Sequence, residues 1–145
     1  HTAYRRQRQM CIRDRNKAEK EKCKFAVIVS RYNGQWVFCR HKDRTTYECP
    51  GGHREVQEDI LDTARRELYE ETGAVEYELS VVGIYSVKQE EREDFGLLCR
   101  CEILEFEEIP EESEIKEIRL FKDLPTGWTY PEIQPVLLEK AYGLR

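Results

Sequence analysis

Residues 52–73 read GHREVQEDILDTARRELYEETG. Ile60, Leu61, Ala64 and Leu68 recur at helical spacing, which predicts a helix over Asp59–Thr72. Gly73 stands just past its end, where a C-terminal glycine cap belongs. At about 100° per residue, Glu67 and Glu71 lie about 40° apart, with Glu70 on the same flank. The apolar stripe spans about 100° of the same wheel; Glu71 falls inside it and Glu67 borders it. Glutamates of an ordinary solvated face would lie opposite that stripe. Carboxylates at its edge must enter a sheltered cleft, and clustered there they repel one another. A bound divalent cation removes the repulsion. Clustered carboxylates are hard oxygen ligands, which suit Mg²⁺ or Mn²⁺.

Working outward, Phe25–Val29 is a β-branched run that reads as a buried strand. Tyr32-Asn33-Gly34 is a turn signal, and Trp36–Arg40 reads as the second arm of a hairpin. Thr45–Cys49 reads as a short strand ending at Pro50-Gly51-Gly52, where the glycines permit a tight turn. Leu79–Val87 and Phe95–Phe106 read as strands joined by an acidic connection over Gln89–Asp94. Glu107–Glu117 is acidic, is broken by Pro110 and reads as a loop; Ile118–Phe121 reads as a short strand. Pro131–Tyr142 reads as a closing helix with proline early and Pro135 in the first turn or so. Strands and helices mix without regular alternation. The expectation is an α/β (α+β) fold with a mixed sheet sandwiched between helices.

The chain has 145 residues, a formal net charge of -5 and 37% charged residues. These values predict one domain over residues 16–145 and no basic face for nucleic acid. No apolar run approaches a membrane span, and no secretory signal is visible, so a cytoplasmic location is expected. Six cysteines without a CxxC pair read as reduced thiols in the core, with Cys99 and Cys101 on one strand face. His1–Arg15 is basic and aperiodic, and Arg5–Arg15 resembles translated sequencing-adapter read-through. It is set aside as a non-native or disordered tail.

The spacing Gly52, five residues, Glu58, seven residues, Arg66-Glu67-Leu68, one residue, Glu70-Glu71, one residue, Gly73 resembles the Nudix box. One position departs, Ala74 standing where the family has a bulkier aliphatic residue. The resemblance implies the Nudix fold and Mg²⁺-dependent pyrophosphohydrolase chemistry. It implies that Glu67, Glu70, Glu71 and the Gly51 carbonyl bind metal, with Mn²⁺ an alternative to Mg²⁺. It implies that Glu67 can serve as the base, that Arg66 holds the carboxylates, and that Glu58 and Gly73 fix the box. Gly52 is expected beside the substrate, and an extra acid is expected from a later loop, at Glu112 or Glu114.

Around His41–Glu71 the chain is similar to bacterial MutT-type members that act on oxidised purine triphosphates such as 8-oxo-dGTP. A small nucleotide is therefore the expected partner, and the oligomeric state is left open. The proline that ADP-ribose-cleaving members carry beyond the box is absent from Lys88–Arg92, which lowers that alternative. A catalytically silent Nudix-fold nucleotide-binding module is the alternative of another class, and it would be expected to have lost one of the three glutamates. Tyr47, Tyr85, Phe95, Trp128 and Tyr130 are candidate base-stacking rings, with Trp128 and Tyr130 preferred because they follow a Pro-Thr-Gly turn. Cys39-x-His41 and Cys49-x₃-His53 form a weaker, zinc-like pattern whose spacing is not a standard ligand pair.

Overall fold

Alternation from Phe25 onward along Cys23–Tyr32 (β2) organises the molecule. Ala26 and Ile28 face one apolar cluster, and Val27 and Val29 face another on the opposite side of the sheet. A strand buried on both faces reads as a continuous apolar run, which is how Phe25–Val29 reads. The computed structural model describes residues 9–13 in backbone outline, 20–109, 111 and 113–143.

The remaining elements are β1 (Gln9–Arg13), β3 (Gln35–His41), β4 (Gly51–His53), α1 (Ile60–Thr72), β5 (Ala74–Gln89), β6 (Arg92–Phe106), β7 (Ile115–Phe121) and α2 (Gln134–Tyr142). The sheet runs in the order β1-β5-β6-β2-β3-β7, with β4 added on β2. β2 and β6 are parallel and the other pairs antiparallel, so the sheet is mixed as expected. α1 buries Ile60, Ala64 and Leu68 against one face, where Cys99 and Cys101 also point. α2 buries Leu137, Leu138 and Ala141 against the other, with Trp36, Phe38 and Tyr85.

The helix over the box has the predicted ends. Asp59 caps it by accepting the Leu61 N–H at 2.8 Å. Gly73 closes it at φ 79°, and its N–H bonds the Tyr69 carbonyl. A side chain at Gly73 would also strike the Glu107 carbonyl.

Several boundaries differ from the sequence expectation. Of the stretch set aside as a tail, residues 1–8 and 14–15 lie outside the described residues, but Gln9–Arg13 pairs with Ile84–Lys88 as an edge strand. Periodicity gave no warning, because an edge strand is held by main-chain bonds that any sequence can make. Thr45–Cys49 is not a ladder strand and makes isolated bridges, Tyr47 to Trp128 and Glu48 to Cys39. Gln89–Asp94 is no long connection; Gln89 pairs with Arg92 across a two-residue turn, with Glu90 at φ 56°. β7 starts at Ile115, inside the predicted loop, and α2 starts at Gln134, after a turn that holds Pro131.

The glycines after Pro50 do not form a tight turn. They are extended strand β4, paired with Phe25–Val27. Their lack of side chains serves close approach instead. A Cβ on Gly51 would collide with the Ala26 carbonyl, and one on Gly52 with the Glu67 carboxylate. β2 and β3 pair only from Ser30 to Val37 near their turn, and beyond it the segment with Pro50 and β4 bonds to β2 in β3's place. The sheet therefore opens next to the end of α1. Gly51→Ala is expected to lower the melting temperature by several degrees, from about 1–3 kcal/mol of forced overpacking against main chain. Circular dichroism melting checks this, and an unchanged Tm would show that β4 does not need the close approach.

Candidate active site

Arg66 is the hub of the site. Its Nε and Nη2 grip Glu58 at 2.8 and 3.0 Å, a two-pronged bond. Nη2 also donates to the His53 carbonyl at 3.0 Å. Nη1 donates to Glu67 and Glu70, each at 3.2 Å. Every guanidinium N–H therefore has an acceptor. Glu58 is itself fixed, accepting the Thr63 hydroxyl at 2.7 Å and the Glu55 N–H at 3.1 Å. The Arg66 bond holds its carboxyl down at about 2.

Glu67 and Glu71 lie deeper, and their environments push the other way. Burial, then the charge of Glu71, raises Glu67 to about 7. Burial also raises Glu71, against the pull of its donors. Those donors are the Gly51 N–H at 2.9 Å and the Cys39 thiol at 3.7 Å on Oε1, with His41 Nε2 at 3.5 Å from Oε2. Glu70 is the outermost of the three, its side chain 49% exposed. Two negative carboxylates with raised proton affinity, side by side in a cleft, form a donor set that fits a hard divalent cation. As they stand, no three His, Cys, Asp or Glu side chains among the described residues already converge on one point. Each carboxylate is turned instead to a protein donor.

A cavity of about 970 Å³ lies against this cluster. Its lining includes Glu67, Glu70, Glu71, Gly51, Gly52, Arg66, Glu114 and Tyr130 from the residues singled out in the sequence. Glu114 is exposed there, its loop tied to α1 by the Ser113 hydroxyl bonding the Glu70 carbonyl at 3.0 Å. Glu112 lies outside the described residues. Trp128 is not brought to the cavity; it packs edge-on against Phe38 in the core, with ring centres 5.1 Å apart. Tyr47 is likewise committed, to Phe121 at 5.1 Å, and Phe95 packs against the α1 side of the core. Tyr85 and Tyr130 do reach the lining.

The zinc-like residues are dispersed among other tasks. Cys39 and Cys49 are buried, and burial raises both thiols well above the ordinary range. The His53 ring meets Phe25 at 5.9 Å. His41 joins a relay that the sequence reading missed. Its Nε2 stands 2.8 Å from Glu48 Oε1, and Arg44 binds the other Glu48 oxygen at 2.9 Å. The hydrogen bond to Glu71 raises the proton affinity of His41, and the relay sets Arg44, through Glu48, behind Glu71. Phe25, Arg54 and Gln134 also line the cavity, and the sequence signalled none of them as site residues. They come together only through the opening between β2 and β3.

The depressed Glu58 carboxyl makes a pH-dependent contribution to stability. That contribution is complete above the unfolded carboxylate range and is lost as pH falls from about 4.5 towards 2. Glu58→Gln is therefore expected to melt below the wild type at neutral pH, with the gap closing over that acid interval. A gap that does not vary between pH 7 and 3 would show that the Arg66 bond adds no net stability through the charge.

Residues 21–128 match the NUDIX domain family. The chain is 34% identical over 102 residues to Bacillus subtilis (strain 168) YtkD, assigned as an 8-oxo-dGTP diphosphatase. That alignment covers 70% of this chain and 64% of the relative, so the chain spans just under two thirds of the relative's length. The crystal structure of the Bacillus subtilis pyrophosphohydrolase BsRppH superposes with a TM-score of 0.79 at 26% identity, covering 93% of this chain and 90% of that one. An ADP-ribose pyrophosphatase from Streptococcus suis shares the fold, with a TM-score of 0.61 at 18% identity over 80% of this chain and 86% of that one. The box on α1, the mixed sheet between two helices and the match over most of the chain place this protein in the Nudix family.

Proposed function

We propose that the protein is a divalent-cation-dependent pyrophosphohydrolase. Its substrate is a purine nucleoside triphosphate such as 8-oxo-dGTP, cleaved to the monophosphate and pyrophosphate. The observation that carries this reading is the gathering of Glu67, Glu70 and Glu71 at the wall of a nucleotide-sized cavity, the first two held by one arginine and the third by the Gly51 N–H. Glu67, Glu70, Glu71 and the Gly51 carbonyl would hold Mg²⁺, or Mn²⁺ in its place. The ion would supply Lewis-acid charge on the phosphates and lower the pKa of a water.

The chain's own residues do the rest. Arg66 ties Glu67 and Glu70 together, and the Gly51 N–H holds Glu71 beside them. Glu67, buried beside Glu71 at the cavity wall, is the carboxylate placed to take a proton from an attacking water. Gly52 leaves the Glu67 carboxylate room beside β4. Arg44 and Arg54 line the cavity and give it positive charge for phosphate oxygens. Tyr130 offers an exposed ring at the same wall, with Arg44 5.9 Å from its centre. Phosphoryl transfer asks mainly for such positioning and charge stabilisation.

The partner is then a small nucleotide, and neither nucleic acid nor a membrane is required. Among the described residues no helix is long and apolar enough to cross a membrane. The described cysteines are free and buried, in keeping with a cytoplasmic location.

Glu70→Gln and Glu71→Gln are each expected to lower kcat about a hundredfold or more while the protein still folds. EDTA is expected to abolish turnover of the wild type. Steady-state kinetics with a melting curve for each variant reads both, and full turnover in chelator or a normal rate in either variant contradicts the metal reading.

The bond and substrate are tested together. Pyrophosphate, without direct release of orthophosphate, is expected from 8-oxo-dGTP or a related purine triphosphate, with lower kcat/KM on ADP-ribose. Orthophosphate as the first product would overturn the bond assignment. A clear preference for ADP-ribose would overturn the substrate.

A further inference from the structure

We propose that Glu48 is a positioning residue for the cation site: by holding the His41 ring it keeps that ring's N–H from occupying the Glu71 oxygen that a divalent cation would take. The inference rests on the reading of Glu71 as a metal ligand. The two oxygens of Glu71 are treated differently. Oε1 is engaged on the protein side, by the Gly51 N–H at 2.9 Å and the Cys39 thiol at 3.7 Å. Oε2 has one neighbouring donor among the described residues, His41 Nε2 at 3.5 Å, which is too long for a full hydrogen bond. Oε2 is therefore the oxygen left for a cation, and His41 is the group that could close it.

Glu48 keeps that oxygen open. The same Nε2 stands 2.8 Å from Glu48 Oε1, and a ring nitrogen carries a single hydrogen, so the full bond belongs to Glu48. Glu48 can hold the ring because it is itself fixed. Its N–H and carbonyl both bond Cys39 on β3, at 3.0 and 2.9 Å. Its other carboxylate oxygen takes the Arg44 guanidinium at 2.9 Å. An ordinary surface pair leaves its carboxylate in water and contributes little. Here the carboxylate side chain is only 9% exposed, and with each oxygen engaged it is held in one orientation.

The competing arrangement is close by. Without the Glu48 acceptor, the His41 N–H is left facing Glu71 Oε2, and a ring movement of about 1 Å or less completes that bond. A charge-assisted hydrogen bond must then be broken before a cation can bind there. Removing Glu48 also takes a negative charge from the neighbourhood of the cation, which by itself weakens binding. The two causes are separable, because only the first needs the His41 N–H.

The test titrates the full chain with Mn²⁺ in the absence of nucleotide, reading the free ion by electron paramagnetic resonance and checking the fold of each variant by melting. Glu48→Met removes the acceptor at similar volume and is expected to weaken Mn²⁺ binding about tenfold or more. Arg44, its side chain 44% exposed, can turn to water in that variant. Adding His41→Leu removes the competing N–H and is expected to restore binding to within about threefold of the wild type. Glu48→Gln serves the same comparison if Glu48→Met does not fold: Arg44 claims the amide oxygen, and the amide hydrogens face His41. Unchanged Mn²⁺ binding in the Glu48 variants overturns the inference. Weakened binding that His41→Leu does not restore also overturns it and assigns the loss to the charge of Glu48. In either case a wild type that binds Mn²⁺ and cleaves the triphosphate keeps the proposed function standing. If the wild type binds no Mn²⁺, the reading of Glu71 as a ligand falls, and the inference with it.

Discussion

Like charges must be held together for this site to exist, and one guanidinium does most of the holding. Arg66 reaches the loop before α1 through Glu58, strand β4 through the His53 carbonyl, and the helix itself through Glu67 and Glu70. Three separate pieces of chain are thereby fixed to one planar fork. A lysine in its place would bring a point charge and three donors, and could not meet five acceptors in those directions. The position of β4 against α1, and so the mouth of the cavity, depends on this one side chain.

The same fork divides the carboxylates by task. Glu58 lies on its strong, two-pronged side and is held ionised, which makes it a structural anchor. Glu67 shares a single prong with Glu70 and is buried beside Glu71, so its charge is left partly uncompensated. Two glutamates on the same guanidinium, Glu58 before the helix and Glu67 within it, end with proton affinities pushed in opposite directions. Such a split separates residues that hold a site from residues that work in it. Glu71 adds a third case, satisfied from behind by Gly51, Cys39 and the His41–Glu48–Arg44 relay.

What the sequence made legible followed from local rules. The helix from Asp59 to Gly73 was readable to within a residue, because its cap, its apolar period and its terminal glycine are all local. The double-sided burial of β2 was readable from its β-branched run. The extended state of Gly51 and Gly52 was not, since glycine signals freedom and says nothing about which neighbour requires it. Here the neighbours are Ala26 and Glu67, many residues away. Trp128 was misplaced for a related reason: a ring after a turn signals exposure, but Phe38 claims it for the core. Glu48 and Gln134 left no trace, and His41 stood out only in a zinc-like pattern, because their meaning lies in contacts across the opening of the sheet.

That opening links the fold to the chemistry. β2 can pair with only one partner on that edge, and beyond Ser30 it exchanges β3 for the segment ending in β4. β3 leaves to pair with β7, and the residues between β3 and β4 must cross the gap. Main-chain groups that cross a gap need partners from outside the ladder. Cys49 finds the Gln134 oxygen and Gly51 finds the Glu71 carboxylate, both within one short stretch. A requirement of backbone hydrogen bonding thus brings the start of α2 and the end of α1 to the same three residues. The start of α2 and the Glu71 end of α1 are therefore set apart at the cavity wall by the length of that stretch, a spacing fixed by main chain that does not depend on flexible side chains.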